Sequence, residues 1–265
     1  MFGFFNKLPI TEQDRLWADE AFQRLERLLG RRRMIEAQVV QPTAEDFPDH
    51  YDRTPVAAEK LLVRVCTFMR VKRESIDFEI FPDEMDGLRE LLPSWNSQGG
   101  RHAAGLYMDD RAITGDEKTK PVVAVRSTQL KDPLTLVATI AHELGHVILL
   151  RGELLAPNTP DHEPLTDLLT VFLGLGIFTA NSAARFVQFQ DDQLQGWTMN
   201  RLGYLPEEVY GYALAKFAAI RGEEKPAWAK HLSTNVRAYF QRSQAWLKRK
   251  ESSLEKLARP GIKIG

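Results

Sequence analysis

The sequence predicts an α+β fold. An N-terminal lobe over residues 1–150 combines helices with a small mixed or antiparallel sheet, and a mainly helical lobe follows over 151–265. Three observations carry this expectation. Strand-like alternation is confined to the first half, in "SIDFEIF", "GLYM" and "PVVAVRS". Helical spacing of apolar residues dominates the second half. A proline-bearing turn, "LLAPNTPDH", separates the two.

Thr11 opens "TEQDRLWADEAFQRLERLLGRRR", in which Leu16, Phe22, Leu25 and Leu28 recur at near-helical spacing. This is a surface amphipathic helix expected to end near Gly30. Residues 38–54 hold prolines and acidic residues without periodicity and read as a loop. "PVAAEKLLVRVCTFMR" resumes as helix, with Pro55 suited to its first turn. Ile76, Phe78 and Ile80 then share one face of a strand. "DEMDGLRELL" reads as a short helix, and "GLYM" and "PVVAVRS" as an antiparallel pair. "DPLTLVATIAHELGHVILLRG" is a helix capped by Asp132, entered through Pro133 and ended by Gly152. Further helices are expected over 163–178, 182–190, 206–222 and 226–251, followed by a frayed, charged tail.

Basic and acidic side chains number 35 and 36, a net charge of -1. That balance argues against a nucleic-acid partner and against attachment to an anionic membrane. Cys66 is the single cysteine, which excludes an intrachain disulfide and a cysteine-rich metal site. Within "LLVRVCTFM" it reads as a small core residue. "MFGFFNKLPI" lacks the basic region of a secretion signal. The longest apolar run, 168–180, is too short to span a bilayer. A cytoplasmic location is expected.

"ATIAHELGHVIL" is mostly apolar yet holds His142, Glu143 and His146. Positions four apart share a helical face, so both histidines can present a ring nitrogen to one point. A borderline-soft ion such as zinc suits that pair, and Glu143 can reach a water held there. Buried histidines without such a purpose would each need another partner. Gly145 costs about 1 kcal/mol in helix propensity against alanine, which signals a neighbour in close approach.

A catalytic zinc needs a third protein ligand and keeps water in its fourth place. "NTPDHEPLTDLLTVF" supplies Glu163 and Asp167, again four apart on an otherwise apolar helix. Glu163 can complete the ligand set, and Asp167 can hydrogen-bond the outer nitrogen of a zinc histidine, His142 first among them. His162 is the rival third ligand, and Asp161 and Asp167 are weaker ones. Gly174 and Gly176 read as positions for tight packing near the metal.

"HELGH" followed by "EPLTD" resembles the gluzincin (thermolysin-like) zinc metallopeptidases over residues 139–167. The resemblance implies one zinc ion per chain, held by His142, His146 and Glu163 in a cleft between the two lobes. It implies Glu143 as general base and Asp167 as the partner of His142. In that group an edge strand often holds extended substrate, a place that 121–127 would occupy here. A metzincin would need a further histidine soon after His146, which "HVILLRGELL" lacks.

The expected function is zinc-dependent peptide-bond hydrolysis, as an endopeptidase acting on a peptide or protein substrate. A donor for the transition-state oxyanion is sought in His231, Tyr204, Tyr210 and Tyr212, with His231 preferred because imidazolium is a strong donor. A zinc amidase would use the same metal, water and base. A zinc-containing regulatory or binding protein is the alternative of another class, and Glu143 and the lack of four closed ligands weigh against it.

Overall fold

The computed structural model describes residues 7–82, 105–109, 111, 116, 118–156, 158–188 and 205–258. Helix α1 (Glu12–Leu29) begins where the Thr11 side chain accepts a hydrogen bond from the Asp14 amide, and it stops at Gly30, whose φ is 83°. Its buried stripe is Ala18, Ala21, Phe22 and Leu25. Leu16 does not join them and is 54% exposed. At about 100° per residue it lies about 120° round the helix from Phe22. A short α2 (Arg31–Ile35) follows, unforeseen from the sequence. Helix α3 (Pro55–Met69) is capped by Thr54 and buries one face, Cys66 included. Burial pushes the Cys66 thiol up to about 12, the behaviour of a core residue.

Three strands form a mixed sheet in the order β1–β3–β2, with β1 at Asp77–Phe81, β2 at Gly105–Met108 and β3 at Val122–Arg126. Strand β1 runs parallel to β3, and β2 runs antiparallel to it, as expected for that pair. One face, with Phe78, Ile80, Tyr107, Val123 and Val125, packs on the main core. The other gathers Phe81, Ala124, Leu106 and Val122. The expectation that 121–127 forms an edge strand is corrected. Strand β3 is bonded on both sides and has no edge to offer, whereas β2 is bonded to β3 alone among the described residues. The short helix expected over 83–92 and the polar segment 96–102 lie outside the described residues.

Helix α4 (Pro133–His146) starts at Asp132, whose carboxylate accepts the Leu134 and Thr135 amides. It is buried on all sides from Thr135 to His146 and packs against α3, β2 and β3. A π-helical turn, Val147–Arg151, carries it to Gly152. Pro133–Arg151 is long and apolar enough to cross a membrane, but 78% of its apolar window is buried in protein, so it is a core helix here.

Helices α5 (His162–Phe172) and α6 (Gly176–Gln188) replace the expected pair 163–178 and 182–190. The break falls at Gly174, whose φ is 88°. Its carbonyl accepts the Val40 amide at 2.9 Å, and a side chain there would strike the Gln38 carbonyl. Gly176 packs on Val171 and Leu214. Both glycines therefore serve contacts with the 38–40 segment and the helix beyond, not with the histidines.

Helix α7 (Glu207–Ile220) and helix α8 (Thr234–Ala258) complete the fold. The single helix expected over 226–251 is interrupted. Ala227–His231 is a 3-10 turn, and Leu232 is extended. Asn181 braces the diverted segment, donating to the His231 carbonyl and accepting the Ser233 amide. Beyond it α8 is helical to Ala258, past the expected point of fraying. On α1, Asp19 accepts the Tyr212 hydroxyl at 2.8 Å and pairs with Lys216, which ties α1 to α7. Among the described residues the protein is thus α+β, with eight α-helices and one small mixed sheet.

Candidate metal centre

The last turn of α4 and the first turn of α5 meet at the site. They come close because Gly145 carries no side chain: a Cβ there would lie 2.6 Å from the Thr166 methyl carbon. The neighbour that the glycine signals is therefore Thr166. Across this contact, His142 Nε2, His146 Nε2 and Glu163 Oε2 form a triangle. Its sides are 3.1 Å between the two nitrogens, 3.0 Å from Glu163 to His142 and 3.4 Å from Glu163 to His146. The histidines are buried, and Glu163 is about one-third exposed. These three side chains form a group that could hold a metal ion.

The protons can be placed from the surrounding bonds. Asp167 Oδ1 lies 2.8 Å from His142 Nδ1, and Asp167 Oδ2 accepts the Leu205 amide at 2.8 Å. A carboxylate can only accept in both directions, so His142 carries its proton on Nδ1 and turns the Nε2 lone pair inward. That lone pair faces the Glu163 carboxylate and the other imidazole, an arrangement that requires a cation or a proton between them. Burial pulls the His142 imidazolium down, but Asp167 and Glu163 outweigh it and raise it well above the usual imidazole value. Burial lowers His146. Burial would also raise Glu163, but the contacts opposing it, the bond to His142 foremost, hold it far below the carboxylate range. The donor spacing fits an ion. Donors on a tetrahedral centre with bonds of about 2.0–2.1 Å stand about 3.3–3.4 Å apart.

Glu143 lies beside the triangle, 4% exposed, against strand β2. Gly105 leaves the room for it: a Cβ there would lie 2.6 Å from Glu143 Oε1. No described residue hydrogen-bonds the Glu143 carboxylate, and burial pushes its pKa up to about 8. A cation at the triangle would oppose that rise. The group is thus a carboxyl poised to gain or release a proton near neutrality.

His162 does not compete for the triangle. Its Nδ1 donates to the Thr159 carbonyl at 3.0 Å, and its Nε2 lies 3.2 Å from Glu163 Oε1. Glu163 raises the His162 pKa, so the ring serves the carboxylate as a donor. Asp161 is engaged elsewhere. It accepts from Trp17 Nε1 at 3.4 Å and from Arg24 at 3.2 Å, which fixes the turn before α5 to α1.

Three contributors escaped the sequence reading. Thr166 stands 3.4 Å from His146 Nδ1. Tyr107 lies with its ring centroid 5.7 Å from that of His146, and its hydroxyl donates to Asp109, which also accepts from Arg151. Gly105 gives Glu143 its space. Their only advance signal was Gly145 for Thr166, and strand "GLYM" for the other two.

Of the expected oxyanion donors, Tyr204 lies outside the described residues. Tyr212 commits its hydroxyl to Asp19, and Tyr210 is buried on α7. His231 lies in the 3-10 turn after α7. Its Nε2 is buried without a hydrogen-bond partner among the described residues, and His231 is not part of the group that could hold a metal. No family model, no curated protein and no solved structure matches the chain.

Proposed function

We propose that the chain is a cytoplasmic zinc-dependent peptide-bond hydrolase of the gluzincin type, an endopeptidase that acts on peptides or protein segments. The observation that carries this reading is the convergence of two imidazoles and one carboxylate beside a buried Glu143 that no described residue hydrogen-bonds. His142, His146 and Glu163 would hold one zinc ion per chain, with Asp167 backing His142. Zinc, when bound, supplies a Lewis acid that acidifies water and polarises a carbonyl. Glu143 takes the proton of the attacking water on its carboxylate and delivers it to the nitrogen of the departing amine. Strand β2, which among the described residues is bonded to β3 alone, would align an extended substrate through its outer backbone groups, in a cleft between the sheet-bearing and helical parts.

Elemental analysis of the purified protein should return about one zinc per chain. Glu143→Gln should keep that zinc and the fold while peptide hydrolysis, assayed on a broad peptide library, falls by at least about 100-fold in kcat. Hydrolysis unchanged in the Gln variant overturns the role of Glu143. A protein that neither retains nor takes up zinc overturns the metal centre.

A further inference from the structure

Helix α5 places two consecutive side chains behind the two histidines, Asp167 behind His142 and Thr166 behind His146. We infer that Thr166 is a positioning residue that fixes the tautomer of His146, so that its Nε2 lone pair stays aimed into the triangle. The inference rests on the metal-centre reading above and adds to it the residue that prepares the second imidazole.

The Thr166 hydroxyl lies 2.7 Å from the His162 carbonyl oxygen and 3.4 Å from His146 Nδ1. A hydroxyl has one proton, and a carbonyl oxygen can only accept. The proton therefore goes to His162, and toward His146 the hydroxyl has only a lone pair to offer. It can interact with His146 Nδ1 only by accepting an N–H from it. A neutral imidazole has one N–H, so its location on Nδ1 leaves Nε2 bare. Thr166 is fully buried, so bulk water offers Nδ1 no substitute. The residue also carries the methyl group that packs on Gly145. Threonine thus supplies both the acceptor for the ring and the spacing between α4 and α5. The motif hints at Thr166 only through Gly145, which makes room for its methyl group.

Two variants of the full chain separate these uses. Thr166→Val keeps the shape and removes the hydroxyl, and Thr166→Ser keeps the hydroxyl and removes the methyl. Zinc affinity is measured by competition with a chromophoric chelator, and the His146 tautomer is read from ring ¹⁵N shifts. The metal-free protein is examined at about pH 8, above the ordinary imidazole range. Thr166→Val should bind zinc about 10- to 100-fold more weakly, the scale of lost support behind a metal ligand, and should lose the pure Nδ1–H signature. Thr166→Ser should keep both within about threefold, well inside that range. Wild-type affinity and tautomer in Thr166→Val would overturn the inference, as would an equal loss in both variants, which would assign the effect to packing. The wild-type spectrum decides the matter even if Thr166→Val fails to fold, since a His146 protonated on Nε2 contradicts it. Wild-type protein that takes up no zinc yet shows Nδ1–H on His146 would sink the metal centre and leave the tautomer assignment standing.

Discussion

Gly145→Ala probes the contact on which the site depends. A Cβ at this position would lie 2.6 Å from the Thr166 methyl carbon, against about 3.5–4.0 Å for a relaxed carbon–carbon contact. Either α4 and α5 part by about 1 Å or Thr166 turns. Turning is opposed, because the side chain is β-branched and its hydroxyl is held by the His162 carbonyl. Overpacking of this kind costs about 1–3 kcal/mol. Alanine returns about 1 kcal/mol of helix propensity. The metal-free protein should therefore lose only about 0–2 kcal/mol. The metal-loaded protein should lose more, since a shift of about 1 Å exceeds the roughly 0.2 Å latitude of metal–ligand distances. Zinc affinity should fall at least about tenfold, or about 1.4 kcal/mol. Urea unfolding with chelator and with excess zinc, together with a competition titration, measures both quantities. The double variant Gly145→Ala/Thr166→Ser removes the clashing methyl. Its next contacts, at 3.6 Å to the Thr166 carbonyl and 3.8 Å to Leu169, are ordinary, so affinity should recover. Wild-type zinc affinity in Gly145→Ala, or no recovery in the double variant, refutes this account of how the helices meet.

Glu163→Ala should lose zinc under dialysis that leaves His162→Ala loaded, because both nitrogens of His162 are engaged with Thr159 and Glu163. The reverse order would make His162 the ligand. Stability of the metal-free protein should fall as pH rises. The folded state raises both His142 and Glu143, the latter from 4.5 to about 8, so each favours the fold while protonated and loses that contribution as pH climbs through its folded value. Between about pH 6.5, the unfolded histidine value, and pH 8 both act in the same direction. Zinc bound as proposed would displace the proton of His142, so its added stability should grow across this window. Thermal unfolding with chelator and with zinc at the two ends checks it, and metal-free stability that rises with pH contradicts it.

Much of the site was legible because its signals are local. Polar residues four apart on apolar helices, at His142/His146 and Glu163/Asp167, declare shared faces whatever the tertiary fold. Gly145 announced a close neighbour for the same reason. What escaped depends on contacts distant in sequence. Strand β3 reads as an edge or a centre only once its partners are known, and the parallel pairing with β1 joins residues separated by the whole of β2. The break after α5 follows from the 38–40 segment crossing at Gly174, which no helical pattern reveals. The interruption before α8 is held by Asn181, 50 residues from His231 in sequence. Asp161 had the chemistry of a ligand and was claimed by Trp17 and Arg24 of α1, 144 and 137 positions away.

The triangle has a consequence for how the chain folds. Its donors come from one helical hairpin, with sequence separations of 4 between the histidines and 21 between His142 and Glu163. Loops of this length close cheaply, whereas the anchors of that hairpin to α1 span more than a hundred residues. An ion captured by the hairpin would cross-link the chain much as a disulfide closing a short loop does, an effect of about 3 kcal/mol. It could do so before α1 docks and before Leu205 reaches Asp167. With the proposed zinc as that ion, its supply would govern how quickly and how completely the protein reaches its native state, apart from any effect on the proposed chemistry.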